Sequence, residues 1–207
     1  MPDHSAATIQ QVIAAMQSLV RHDAAATDEL MKQMIDQTLA DNPEGGDTGD
    51  GVPRVALART IARHLLDAGG KKIRPLLCLM ANQLLTEEMG SSLAAIAPSS
   101  LIIDGKETTS QTIKPIVYLA AAVEFIHQAT LFHDDVVDEA ATRRHQPTAN
   151  HIWGNQLPVL VGDVLFARAF QLMVRVDNNS VLTRLSSTAA TLAMGEVWQL
   201  ARQLAVK

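Results

Sequence analysis

Apolar side chains recur every three or four residues along most of the chain, and no convincing alternating strand pattern appears. This spacing collects the apolar positions on one face of a helix, as packing in a bundle requires. It predicts helices over residues 5–21, 23–40, 54–67, 75–85, 115–138, 157–176 and 180–207. We therefore expect an all-α fold, a helical bundle whose functional side chains face inward.

Two polar stretches interrupt the helical pattern, at residues 41–51 and 98–112. Both are rich in small and polar residues, so we expect them to form surface loops. The chain is predicted to be one domain, with N-terminal helices and a polar loop over 1–53 and a motif-bearing helical core over 54–207.

The composition agrees with a helical protein of the cytoplasm. The 207 residues are enough for one sizeable core, and 47% are hydrophobic although only 3% are aromatic. Alanine and leucine supply most of that apolar content, and both favour helices. A net charge of -5 argues against a general nucleic-acid binder. Cys78 is the only cysteine, which excludes an intramolecular disulfide and fits a reducing compartment.

No membrane or secretory segment is expected from the pattern. The first residues lack a basic region followed by an apolar core, which a secretory signal would have. The most hydrophobic stretch, 157–176, contains Asp163, Arg168 and Arg175. Charges at those positions would heavily penalise a membrane span, so we expect a buried helix instead.

An acidic run at residues 133–139 is the strongest chemical signal in the chain. Asp134 and Asp138 lie one helical turn apart, and like charges at that spacing destabilise a helix unless a cation lies between them. Mg²⁺ suits such a site, because it takes one or two carboxylates and completes its shell with water and phosphate oxygens. The alternative is an ordinary acidic patch on a solvated helix end. Apolar neighbours on the same helix favour the metal site, because half-buried carboxylates need a partner.

Basic residues follow and precede the acidic run. Arg143 and Arg144 come directly after it and could bind phosphate oxygens bidentately. A second basic cluster contains Lys71 and Arg74, and His127 lies two turns before the first aspartate. The alternatives are solvated lysines at a helix stop and a histidine hydrogen-bonded in the interior. Together the clusters predict two anion sites in an apolar bundle.

The order and spacing of these motifs resemble the trans-type polyprenyl diphosphate synthases, of the bacterial long-chain kind that includes octaprenyl diphosphate synthase. The resemblance runs from about residue 54 to the end of the sequence. It is carried by Gly-Gly-Lys-Lys-Ile-Arg-Pro at 69–75, Glu-Phe-Ile-His at 124–127, Leu-Phe-His-Asp-Asp-Val-Val-Asp at 131–138, Arg-Arg at 143–144, Pro-Thr-Ala-Asn at 147–150, Trp-Gly-Asn at 153–155, Val-Leu-Val-Gly-Asp at 159–163 and Gly-Glu at 195–196.

The resemblance implies an isoprenoid synthase-type helical bundle and an Mg²⁺-dependent prenyltransferase. The reaction would be condensation of isopentenyl diphosphate with an allylic prenyl diphosphate. Asp134 and Asp138 would bind Mg²⁺ that bridges the allylic diphosphate, with Asp135 in support. Arg143 would contact the same diphosphate.

The family pattern places isopentenyl diphosphate on Lys71, Arg74, His127 and Arg144. It also implies a homodimer. Ala129 and Thr130 are small where family members with short products commonly carry aromatic residues, so we expect a product longer than farnesyl diphosphate.

One departure from the family pattern concerns the metal site. The family uses a second aspartate-rich motif in a later helix, whereas Asp-Asp occurs only once in this sequence. We therefore expect a bundle that is incomplete at the C-terminus and a chain that is weakly active or inactive on its own. The alternatives are a non-catalytic partner or regulatory subunit of a prenyl synthase, and a terpene cyclase, which needs only one diphosphate site.

Overall fold

The computed structural model describes residues 4–38, 54–67, 70–89, 102–103, 106–107 and 113–205. In chain order the elements are α1 (His4–Leu19), α2 (Arg21–Thr38), α3 (Arg54–Asp67), α4 (Ile73–Met89), β1 (Ile102–Ile103), β2 (Lys106–Glu107), α5 (Pro115–Val137), β3 (Thr142–Arg143), β4 (Gln146–Pro147), α6 (Ala149–Trp153), α7 (Gln156–Arg175) and α8 (Asn179–Ala205). The strands form two antiparallel pairs of two residues each. The all-α prediction is confirmed.

Each long helix expected from the pattern is present, with ends displaced by a few residues. The pattern missed the β3–β4 hairpin and the five-residue helix α6, where we expected only a loop. Such elements are too short to show a hydrophobic period. The predicted polar loop at 41–51 lies outside the described residues, and so does most of the one at 98–112.

Helix α5 forms the centre of the bundle and makes its most extensive contact with α7. Its largest buried side chains, Tyr118, Phe125 and Phe132, are 0–1% exposed. The two helices approach closely at Gly162 of α7, because a Cβ atom there would collide with the ring of His133. Gly162 therefore lets α5 carry a histidine directly against α7.

Three aspartates of α2 form ion pairs with residues elsewhere in the fold. Asp23 pairs with Lys114 just before α5, and Asp36 pairs with Arg63 of α3. Between them, Asp28 pairs with Lys72 just before α4. Apolar side chains of α1, α4 and α5 add a small separate cluster around Val20, Leu76, Leu79 and Ala120.

Helix α7 buries one face and exposes the other. Leu165, Ala169 and Leu172 are fully buried, whereas Leu160 and Val174 are 59% and 65% exposed. The prediction of a buried helix over 157–176 is thus correct for one face only. By length and composition α5 and α7 are each apolar enough to cross a membrane, although α5 packs between α2, α4 and α7.

Candidate active site

A cavity of about 330 Å³ opens between α4, α5 and the β3–β4 hairpin. Its lining brings together the four side chains predicted for one diphosphate, Lys71, Arg74, His127 and Arg144. Lys71 and Arg74 lie on either side of the start of α4. His127 lies in the middle of α5, and Arg144 lies in the turn of the hairpin. Three separate elements therefore direct basic groups into one space, as an anion site requires.

The two adjacent arginines of the hairpin, Arg143 and Arg144, have different surroundings. Arg144 and His145 form its turn in the left-handed region, with φ values of 51° and 65°. That geometry matches the twist of a tight antiparallel hairpin. Arg143 lies on the side of α5, where its Nε donates to Asp135, while Arg144 reaches the cavity. Adjacent arginines thus belong to different parts of the site.

Gly70 makes room for the guanidinium of Arg144. A Cβ atom at position 70 would lie 2.6 Å from Nη1 of Arg144, closer than van der Waals contact permits. A larger residue at position 70 would displace the guanidinium of Arg144 from this place. Lys71 and Arg74, on either side of the start of α4, are exposed and accessible to a ligand.

His127 is neutral at physiological pH in this structure. Burial, together with the positive charges of Arg74, Arg144 and Arg143, lowers its pKa from 6.5 to about 4. A neutral imidazole keeps one N–H to donate to a phosphate oxygen. The same arginines that suppress its protonation would attract a diphosphate.

A buried acid lies against the basic cavity and was not assigned a role from the sequence. Glu124 is 3% exposed and accepts a hydrogen bond of 2.7 Å from Nε2 of Gln128, one turn further along α5. Burial raises its pKa, while Gln128, Lys72 and two arginines oppose that change. In the sequence it belongs to the Glu-Phe-Ile-His motif and forms a polar pair with Gln128 at a spacing of four in an apolar helix.

The acidic run occupies the C-terminal end of α5. Asp138 caps the helix, and its backbone N–H donates to the carbonyl of Asp134 at 2.8 Å. Burial raises the pKa of Asp134, and the carboxylates of Glu196, Asp138 and Asp135 raise it further, against the opposing effect of Arg143. A cation beside Asp134 would relieve this accumulated repulsion.

The carboxylates at the end of α5 supply only some of the ligands that a hard divalent cation needs. Asp134 and Asp138 offer two carboxylates, which is as many as Mg²⁺ commonly takes from a protein. Among the described residues, no group of three or more His, Cys, Asp or Glu side chains is arranged to enclose a metal ion. A cation there would complete its shell with water or phosphate oxygens.

Asp135 has a different role from its two neighbours in the run. Its side chain is 3% exposed and accepts the 2.8 Å hydrogen bond from Arg143. Its carbonyl accepts from Nδ2 of Asn150 in α6. Asp135 therefore joins α5 to the hairpin and α6.

Comparison with known proteins places these residues in a family context. The family model described as Polyprenyl synthetase matches residues 55–207. An all-trans-nonaprenyl-diphosphate synthase (geranyl-diphosphate specific) of Rhodobacter capsulatus is 41% identical over 72% of this chain and 39% of its own length. The octaprenyl diphosphate synthase of Escherichia coli (strain K12) is 36% identical over 70% of this chain and 38% of its own length.

A solved structure shows the same helical arrangement. It is a polyprenyl synthase from Caulobacter crescentus CB15, complexed with calcium and isoprenyl diphosphate. It is 34% identical, with a TM-score of 0.65 over 91% of this chain and 45% of that one. The chain thus spans less than half the length of the proteins it matches.

Proposed function

The chain belongs to the polyprenyl synthetase family, and from this we propose that it is the motif-bearing part of a long-chain all-trans polyprenyl diphosphate synthase. The enzyme would condense isopentenyl diphosphate with an allylic prenyl diphosphate. The observation that carries the proposal is the cavity in which Lys71, Arg74, His127 and Arg144 meet, beside the separate acidic end of α5. Two diphosphates need two such sites.

The acidic end is proposed to hold the allylic diphosphate. Asp134 and Asp138 would bind a divalent cation, for which we propose Mg²⁺. When bound, the cation supplies positive charge to the diphosphate that departs. A relative of the same fold was solved with calcium and isoprenyl diphosphate, which supports the use of a divalent cation. Asp135 would hold Arg143 by its Nε, so that the rest of the guanidinium faces the same diphosphate.

The basic cavity is proposed to hold isopentenyl diphosphate. Lys71 supplies a compact charge, Arg74 and Arg144 supply planar forks, and neutral His127 donates one N–H. The allylic C–O bond breaks with its electron pair leaving on pyrophosphate. The isopentenyl double bond then attacks the allylic carbon, and loss of a proton from the isopentenyl unit restores a double bond.

Several finer properties follow from the same proposal. A product longer than farnesyl diphosphate is proposed from the small side chains Ala129 and Thr130 on α5. We also propose a cytoplasmic homodimer, as the family pattern implies. The competing assignment, a terpene cyclase, has no use for the basic cavity.

Incorporation of labelled isopentenyl diphosphate tests the proposal. The complete reading frame that contains these residues is assayed with farnesyl or geranylgeranyl diphosphate and Mg²⁺. Arg74→Met is expected to raise KM for isopentenyl diphosphate at least tenfold, the effect of losing about 1.4 kcal/mol of binding. Arg63→Met, which removes a guanidinium outside the cavity, is the control. Absence of incorporation by the unaltered protein would refute the proposed activity.

A further inference from the structure

The basic segment, which we define as Gly70, Lys71 and Lys72, separates two cavities. One is the anion cavity already described, and the other, of about 380 Å³, lies toward α1 and α2. All three residues of the segment line both cavities. The position of the basic segment therefore determines which of the two cavities each of its side chains faces.

Lys72 holds a backbone conformation that an L-residue adopts rarely. Its φ is 42°, in the left-handed region, and its carbonyl accepts the N–H of Leu76 in the first turn of α4. A non-glycine residue at such a φ needs support from its surroundings. The support comes from α2, because Nζ of Lys72 donates to Oδ1 of Asp28 at 2.8 Å.

The two other aspartates of α2 provide an internal comparison. Asp23 bonds Nζ of Lys114 at 2.9 and 3.0 Å, and Asp36 pairs with Arg63. Both pairs fix α2 to a neighbouring helix or its entry, and neither touches the basic segment. Asp28 alone among these three residues reaches the segment that lines the anion cavity.

We propose that Asp28 is a positioning residue for the anion cavity. By holding Lys72 toward α2, it fixes the basic segment so that Lys71 and Arg74 face the diphosphate. The N-terminal helices would thus set the affinity of a site to which they contribute no ligand. The proposal rests on the proposed function in one respect, that the cavity binds a diphosphate.

The direction of the effect separates positioning from simple electrostatics. Asp28 is negative and lies near an anion site, so removing its charge would by Coulomb attraction alone strengthen anion binding. Loss of positioning has the opposite result, because Lys71 and Arg74 would no longer be held together. The sign of the change in affinity therefore identifies the mechanism.

The experiment titrates inorganic pyrophosphate into the 207-residue chain by calorimetry, without metal. Asp28→Asn is expected to weaken binding about three- to fivefold, as suits a half-exposed ion pair. Asp28→Glu, which can still reach the flexible lysine, is expected to retain most of the affinity. Asp23→Asn removes the same charge from the same helix and is expected to bind at least as tightly as the unaltered chain.

A double variant supplies the second readout. Lys72→Met weakens binding, and adding Asp28→Asn to it is expected to cause no further loss, because the contact is already absent. Melting temperatures of the Asp28 and Asp23 variants are expected to agree, which separates positioning from a general loss of stability. Equal or tighter binding by Asp28→Asn would overturn the inference while leaving the proposed function intact. Absence of saturable binding by the unaltered chain would overturn both.

Discussion

The titratable groups of α5 are arranged so that charge is concentrated at two separate places. Near its middle, His127 is kept neutral while arginines surround it; at its end, Asp134 lies among other carboxylates. At each of these two places the repulsion between like charges is relieved when a ligand of the opposite charge binds. Such concentration of like charge is typical of functional sites rather than of structural ones.

The neutral state of His127 predicts a stability change in mild acid. Its pKa is about 4 in the folded chain and about 6.5 when unfolded. Between those values only the unfolded chain takes up the proton, so stability falls as pH drops from 6.5 toward 4. His127→Gln is expected to make the fall in melting temperature over this window shallower. His151→Gln, which changes an exposed imidazole on α6, is the control; a His127→Gln profile parallel to that of the unaltered chain would contradict the assignment.

The adjacent aspartates are expected to respond differently to loss of charge. Asp134→Asn removes repulsion at the end of α5, so the melting temperature without metal is expected to stay the same or rise. Mg²⁺ with pyrophosphate is expected to stabilise the unaltered chain but not this variant. Thermal melts with and without the two additives check both statements.

Asp135→Asn is the comparison variant for that experiment. It removes the negative charge that pairs with Arg143, at a residue that is 3% exposed. We expect a loss of about 1–3 kcal/mol in the free energy of unfolding, the cost of a buried group left without its partner. If both variants behaved alike in metal-free melts, the different roles given to the two aspartates would be wrong.

For single residues, the sequence predicts which side chains form the site better than it predicts their contacts. Lys71, Arg74, His127 and Arg144 could be assigned to one diphosphate because the family pattern carries them, and they do line one cavity. The pairing of Glu124 with Gln128 has a local signal, their spacing of four on a helix, whereas the sequence gives no signal for the pairing of Asp28 with Lys72. The latter joins residues 44 positions apart, which no local pattern encodes.

Among the elements, α5 and α7 position most of the site, and their close approach depends on a glycine. Gly162→Ala would place a methyl group against His133, so we expect a loss of about 1–3 kcal/mol in unfolding free energy. Denaturant unfolding measures the change. Combining Gly162→Ala with His133→Ala is expected to recover part of that loss, since the colliding ring is then gone.

Gly195→Ala provides the matched control in α8. No atom lies within 4 Å of the position that its Cβ would occupy. Alanine is expected to stabilise this helix by about 0.5–1 kcal/mol, because it loses less backbone entropy than glycine. Equal effects of the two glycine substitutions would show that the contact between α5 and α7 is looser than described.

The long helices were predictable because each shows several turns of apolar periodicity, as in Pro115–Val137. The β3–β4 hairpin was not, since each of its strands has only two residues and its left-handed turn at Arg144 and His145 contains neither glycine nor asparagine. This missed element is the one that directs Arg143 and Arg144 to different places. The family resemblance assigned the two arginines to different diphosphates, but the pattern did not show the hairpin that separates them.

Across the whole molecule, the described chain covers the part of the family that carries one acidic motif and the basic cavity. The relatives are more than twice as long as the stretch that matches. In α8 every described side chain from Ala190 onward is exposed, including Val197 and Trp198. The isoprenoid synthase-type bundle was predictable from the motifs, whereas the apolar surface of α8 was not, because periodicity does not show which face is covered.

Two diphosphate sites, of which only one depends on a metal, are the main feature of the proposed function. Its most direct test is calorimetric titration of the 207-residue chain with isopentenyl diphosphate and with a non-reactive thiolodiphosphate analogue of farnesyl diphosphate. We predict that isopentenyl diphosphate binds without metal, that the allylic analogue requires Mg²⁺, and that each binds in the presence of the other. Mutual exclusion of the two ligands, or binding of isopentenyl diphosphate only with Mg²⁺, would contradict the account.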